Sequence, residues 1–219
     1  MSDASYVLPF RGADDRARNA PRVAEHLHAN GLIAYPTETV YGFGCALRPE
    51  ALARLASLKE RSRPFLILIE DPDQLPDLVW TDAARALAAR FWPGPLTLAL
   101  RAEPGRYPEA VVAPDGTVAV RASPHPAVRS ILGCLGEPIT STSANRPGRQ
   151  PAASADEVRG VLRELGNPPY VWVLDGGELP PSLPSTIIDC TGDVPRIVRA
   201  GAIGRREIEN VVKVTDGHG

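Results

Sequence analysis

Lys59 and Lys213 are the only lysines among 24 basic side chains, the rest being arginine. A compact ammonium acts as a point charge on a phosphate or a reacting oxygen, whereas a planar guanidinium forks across a carboxylate. Arg61 follows Lys59 by two positions, just where a helical spacing of Leu52, Leu55 and Leu58 runs out. Two cations there suit a phosphate cradle; the plainer alternative is a helix C-terminus stabilised by positive charge. Upstream, YPTETVYGFG (35–44) supplies the hydroxyls of Thr37, Thr39 and Tyr41, with glycines that allow backbone to approach a ligand closely. Downstream, PITSTSAN (138–145) gathers hydroxyls, among them Thr142 and Ser143, and the amide of Asn145. That is more polar chemistry than a turn requires. Arg121 and Arg199 each close a strand-like run, before the Pro124-His125-Pro126 bend and before Gly201. The pattern is that of an anion-handling, catalytic site. Lys59 is expected at an exposed helix end, where its removal changes stability by less than about 1 kcal/mol.

These groups have to be positioned by helices and strands that the sequence also marks. A short strand is expected at Tyr6–Phe10, then a helix bracketed by Pro21 near its start and Gly31 after its end. GLIAY (31–35), FLILI (65–69), LTLAL (96–100), TVAVR (117–121), EPITST (137–142), YVWVL (170–174), STIIDC (185–190) and PRIVR (195–199) read as strands. The last two form a hairpin across Thr191-Gly192-Asp193. Helices are expected up to Lys59, from Thr81 as a cap through Arg90, over His125 to Cys134, from the Ser154/Glu157 capping box to Leu165, and over Arg205 to Val212. Interleaved helices and strands make this an α/β chain with a mixed sheet. Residues 1–19 read as an N-terminal extension, 20–212 as one domain and 213–219 as a tail. Polar residues at element ends suit the way open α/β sheets bind ligands.

Several classes are excluded. A net charge of -2 argues against coating nucleic acid by charge alone, and aromatic residues, at 5%, do not interleave with basic clusters as stacking platforms would. Three cysteines, Cys45, Cys134 and Cys190, form no CxxC pair and indicate neither a disulfide framework nor a zinc site. There is no Walker-type phosphate loop, no complete dinucleotide fingerprint, no GxSxG and no HExxH. No signal pattern or apolar run of membrane-spanning length is visible, so the expected compartment is the cytoplasm.

Taken in order, GLIAYPTETVYGFG (31–44), LKER (58–61), FWPGPLTLAL (91–100), GTVAVRASPHP (116–126), PITSTSANRPG (138–148) and PSTIIDCTGDVPRIVRAGAI (184–203) resemble the YrdC-like family over most of residues 20–205. The resemblance implies a single twisted α/β domain, a mixed sheet flanked by helices, with a concave basic cavity. It implies an enzyme, a nucleotidyltransferase that converts L-threonine, bicarbonate and ATP into threonylcarbamoyl-adenylate and pyrophosphate. The product would serve N6-threonylcarbamoyl modification of adenosine 37 in transfer RNA. By the same resemblance, Lys59 and Arg61 are catalytic and hold the ATP phosphates, and Thr142, Ser143, Asn145 and Arg199 contact the nucleotide. Ser143 and Asn145 also fall near its Mg2+, which ATP otherwise carries. Thr37, Tyr41, Arg121 and Ser185 match the grip on threonine and carbamate. RNA and the downstream transferase proteins of the pathway are implied partners. The chain departs from the family in a shorter KERSRPFLILI stretch, with Ser62 in place of a proline, Arg63 adding a basic position, and no histidine on the strand that follows. The expected form is the short one, without the extra carboxy-terminal domain of longer synthases. A YciO-like paralogue with another acceptor, and an RNA-binding or ribosome-maturation module, are the alternative readings.

Overall fold

The computed structural model describes residues 6–60 and 64–216. In chain order these form β1 (Tyr6–Pro9), α1 (Ala13–His28), β2 (Leu32–Pro36), β3 (Tyr41–Gly44), α2 (Pro49–Lys59), β4 (Leu66–Leu68), α3 (Asp82–Phe91), β5 (Leu96–Arg101), β6 (Thr117–Arg121) and α4 (Pro126–Leu135). There follow β7 (Ile139–Ser143), α5 (Ala155–Glu164), β8 (Val171–Asp175), β9 (Thr186–Asp189), β10 (Arg196–Arg199), α6 (Arg205–Glu209) and β11 (Thr215–Asp216). The strands make one mixed sheet in the order β1-β8-β2-β3-β7-β4-β6-β5-β9-β10-β11.

Helix ends follow local chemistry. The Thr81 hydroxyl accepts from the Ala84 N–H at 3.1 Å and starts α3; that of Ser154 accepts from Glu157 N–H at 3.2 Å and starts α5. The Glu157 carboxylate reaches back one residue further than a strict capping box, accepting from Ala153 N–H at 2.7 Å. Gly136, at φ 72°, closes α4 in the left-handed conformation that glycine adopts without strain. Expectation and structure part at α1, which begins eight residues before Pro21 and carries that proline inside it. Burial of Ala20, Val23, Ala24 and Leu27 outweighs the one helical hydrogen bond the ring removes. β1 pairs with β8, Leu8 and Phe10 are buried, and β11 pairs with β10, so the described residues before 20 and after 212 each add a strand to the sheet. YGFG, not among the strands expected from the sequence, is strand β3.

The two sheet faces are covered differently. One face buries Phe43, Ile67, Leu98, Val118, Val120 and Ile188 with apolar residues of α2, α3, α5 and α6. On the other, α1 and α4 cover Ile33, Tyr35, Leu68 and Ile139. Further along that second face the strand register carries Gly42 opposite Ser143, Leu66 opposite Ser141, Ala99 opposite Ala119, and Arg199 opposite Ile187. Gly42, Ser141, Ser143, Ala99 and Ala119 are small residues among these pairs, and the surface is hollowed into a cleft. From the end of β8 the chain then crosses to β9, from the second to the ninth strand in sheet order, and Ser182 and Pro184 of this crossing line the cleft.

Candidate active site

The cleft has a volume of about 580 Å³ and draws residues from β3, β4, β5, β6, β7, β9 and β10. It therefore lies along an open stretch of sheet face as well as at strand ends, a wider placement than the sequence suggested. Among the described residues, the charged ones lining it are both cations, Arg121 and Arg199. Burial, and then the charge of Arg121, push the Arg199 guanidinium below its usual range, so the two cations sense one another. A cavity with two like charges and small polar walls favours an anion.

Arg121 is 4% exposed. Its Nη1 lies 3.2 Å from Glu38 Oε1, and Glu38 Oε2 accepts from the Ser123 hydroxyl at 2.5 Å. Arg199 donates through Nε and Nη2 to the Ser185 carbonyl at 3.2 and 2.7 Å, and through Nη2 to the Ser185 hydroxyl at 3.1 Å. The Ser185 hydroxyl also meets Thr97 Oγ1 at 2.9 Å. Gly201 packs against this strand so closely that a Cβ would lie 2.3 Å from the Pro184 carbonyl oxygen.

At the opposite wall, Thr37 lines the cleft and organises the turn between β2 and β3. Its hydroxyl donates to Val40 O at 2.7 Å and accepts from Thr39 and Val40 N–H, both at 3.2 Å. Thr142 and Ser143 also line the cleft. The Ser143 hydroxyl donates to Asn145 Oδ1 at 2.7 Å, and Asn145 Nδ2 donates to Arg149 O at 2.6 Å.

Three expected site residues, Asn145, Lys59 and Tyr41, stand outside the cleft lining. Lys59 is 2% exposed rather than at a surface helix end, and it is absent from the cleft lining. Its ammonium donates to Ser143 O at 2.7 Å, Asn145 O at 2.6 Å and Asn145 Oδ1 at 2.9 Å. It supports the 143–145 loop from beneath, with the Phe43 ring 5.8 Å away. Tyr41 is fully buried and also outside the cleft lining. Its hydroxyl donates to Gly177 O at 2.7 Å and accepts from Gly176 N–H at 3.0 Å, anchoring the start of the crossing; burial pushes the phenol up to about 12. Arg61, with Ser62 and Arg63, lies outside the described residues.

Glu38 and Thr97 were missed by the sequence reading. Thr97 was recoverable from β5, where strand alternation puts it with Ala99 on the face opposite Leu96, Leu98 and Leu100. Glu38 sat inside a quoted motif, but nothing local says that its carboxylate reaches β6.

Residues 25–201 match the family described as Telomere recombination, Sua5_yciO_yrdC. The chain belongs to this family. It is 34% identical over 207 residues to a threonylcarbamoyl-AMP synthase of Bacillus subtilis, covering 91% of this chain and 59% of that protein. It is 41% identical over 178 residues to one of Chromohalobacter salexigens, covering 78% of this chain and 93% of that protein. The fold matches the crystal structure of P. abyssi Sua5 complexed with L-threonine at a TM-score of 0.85 and 31% identity, covering 96% of this chain and 62% of that one. E. coli YciO matches at 0.79 and 25% identity, covering 93% of this chain and 99% of that one. The chain thus spans about three fifths of the longer Sua5/YciO/YrdC relatives and nearly all of the shorter ones. No helix among the described residues is long and apolar enough to cross a membrane.

Proposed function

We propose that this chain is a cytoplasmic threonylcarbamoyl-AMP synthase. The observation that carries the reading is the pair of arginines lining a polar cleft in a chain of this family. In the reaction, the threonine amine attacks the carbon of bicarbonate, giving a carbamate and water. A carbamate oxygen then attacks the α-phosphorus of ATP, the bond to the β-phosphate oxygen breaks, and pyrophosphate leaves. Every reactant but the amine is anionic, so the chemistry is positioning and charge neutralisation.

Arg121 takes the acid groups of threonine and carbamate, and Ser185 and the Thr37 turn bound the same subsite. Arg199 faces the nucleotide, Thr142 and Ser143 flank it, and Lys59 keeps the 143–145 loop in shape beneath it. A catalytic part for Arg61 rests on the family resemblance.

Mg2+ belongs to this reading as the ion of the nucleotide. Ser143 and Asn145 do not fit it as protein ligands in this arrangement. Asn145 Oδ1 already accepts from the Ser143 hydroxyl and from Lys59, and an ammonium 2.9 Å from that oxygen repels a divalent cation. No step is assigned to the metal.

The implied partners are RNA and the transferase proteins that carry the threonylcarbamoyl group onward. The test is pyrophosphate release from ATP, omitting threonine and bicarbonate in turn. Release should need both, and release that ignores threonine would sink the reading. The likeness to E. coli YciO favours, as a second reading, a paralogue with another acceptor; the same assay with other amines separates the two.

A further inference from the structure

Glu38 is carried by the turn between β2 and β3, yet its carboxylate meets groups at and just beyond the end of β6, on a distant part of the sheet. The Arg121 and Glu38 side chains are 5% and 15% exposed, so their charges are only weakly screened by solvent. The contact neutralises charge without using up the guanidinium fork. Among the described residues, neither Arg121 Nε nor Glu38 Oε1 has a hydrogen-bond partner, although Nη1 and Oε1 stand 3.2 Å apart. Ser123, through its 2.5 Å hydrogen bond to Oε2, fixes the carboxylate from the far side. Arg121 is thus electrically compensated without a hydrogen bond to the carboxylate that compensates it.

We propose that Glu38 is a positioning residue that sets the anion selectivity of the cleft. It cancels one of the two arginine charges, so the site recognises an acid group by donor geometry and does not hold polyanions by excess charge. The identity of the ligands rests on the proposed function; the charge effect does not. On the synthase reading, the consequence falls on the leaving group. A cleft with two uncompensated arginines would retain pyrophosphate, whereas a compensated Arg121 lets it depart.

The experiment is calorimetric titration of inorganic pyrophosphate into the wild type, Glu38→Gln and Glu38→Asp. The glutamine keeps size and an acceptor but removes the charge; the aspartate keeps the charge on a shorter stem. One more net positive charge within several ångströms of a polyanion, in a medium of intermediate dielectric, should tighten binding by about tenfold or more. Glu38→Gln should therefore bind pyrophosphate about tenfold more tightly, with the gain shrinking as salt rises, and Glu38→Asp should stay within about twofold of wild type. In turnover, the glutamine variant should lower kcat and the KM for ATP together, as slowed product release does.

Unchanged or weaker pyrophosphate binding in Glu38→Gln would overturn the proposal, as would an aspartate variant that behaves like the glutamine one. Either result leaves Glu38 as a structural latch. Should Glu38→Gln fail to melt cooperatively, Glu38→Asn against Glu38→Asp gives the same comparison, matched in length and differing in charge. The titration needs no turnover. Tighter binding by the glutamine variant in a protein with no threonine-dependent release would uphold the charge role and remove the synthase reading. The reverse pair of results would do the opposite.

Discussion

Replacing Lys59 with alanine should destabilise the fold as well as stop adenylate formation. The ammonium is 2% exposed and donates to Ser143 O, Asn145 O and Asn145 Oδ1 at 2.7, 2.6 and 2.9 Å. Alanine deprives these acceptors of their shared donor beside the cleft. Removing one partner of a buried hydrogen bond costs about 1 kcal/mol at the low end, and more when a charge is involved. Water from the cleft can reach part of the gap, so we expect a loss of about 3 kcal/mol. For a chain of this length that lowers the thermal midpoint by about 6–12 °C. Lys59→Arg should fare little better, because a planar fork cannot place donors on three acceptors arranged around one nitrogen. Scanning calorimetry, run beside pyrophosphate release, is the assay. Lost activity with a midpoint within about 2 °C of wild type would refute the reasoning, leaving Lys59 as a phosphate contact and not a support of the loop.

Gly44→Ala should be poorly tolerated, since a Cβ there would lie 2.1 Å from the Thr140 carbonyl oxygen; soluble expression and a near-normal midpoint would contradict the close β3–β7 packing. Burial pushes the Cys45 and Cys190 thiols up to about 12, while Cys134 is exposed. A thiol reagent at pH 8 should therefore label one cysteine in the native protein and all three after denaturation. The raised values also mean that these two thiols favour the fold below their unfolded pKa and lose that contribution as pH rises from about 9 towards 12. Reagent kinetics and alkaline melting curves check the two statements. If threonine is read by its hydroxyl, serine should support pyrophosphate release far better than valine, because a site built for a hydroxyl rejects its apolar isostere by about 10⁴ or more. Equal rates would move the reading towards another acceptor.

Where local chemistry decides, the sequence was a good guide. Thr81 and Ser154 cap the helices they were expected to cap, and β4 to β10 lie within a residue or two of the marked apolar runs. Pro21 misled because tertiary burial of one α1 face outweighs a helix-breaking residue, and no local pattern carries that information. The same limit applies to the cleft. Thr37, Arg121, Thr142, Ser143 and Arg199 were picked by residue type, Ser185 by the family resemblance, and all of them line it. Lys59 and Tyr41 are of the same chemical kind, but their strand and helix registers turn them inward. Polar type selects candidates; only the packing of one element on another decides which of them reach the ligand's side.

The crossing from β8 to β9 gives the cleft a fixed gauge. It passes seven strand spacings, roughly 34 Å along the sheet at about 4.8 Å each, and the eleven steps from Asp175 to Thr186 reach about 36–40 Å when fully extended. Pro180, Pro181 and Pro184 restrict how far it can fold back on itself. It is tied down at Tyr41 and again where the Ser182 hydroxyl donates to Thr39 O at 2.7 Å. The segment works as a bowstring: it spans the hollow as a chord shorter than the path along the sheet, and its covalent length caps how far the two sides of the hollow can part. The width of the cleft is thus written into a stretch of chain that belongs to no strand. Removing two residues from it should force tighter curvature or pull β9 out of register, read as lost amide protection in β9. Full protection after such a deletion would show that the string was never taut.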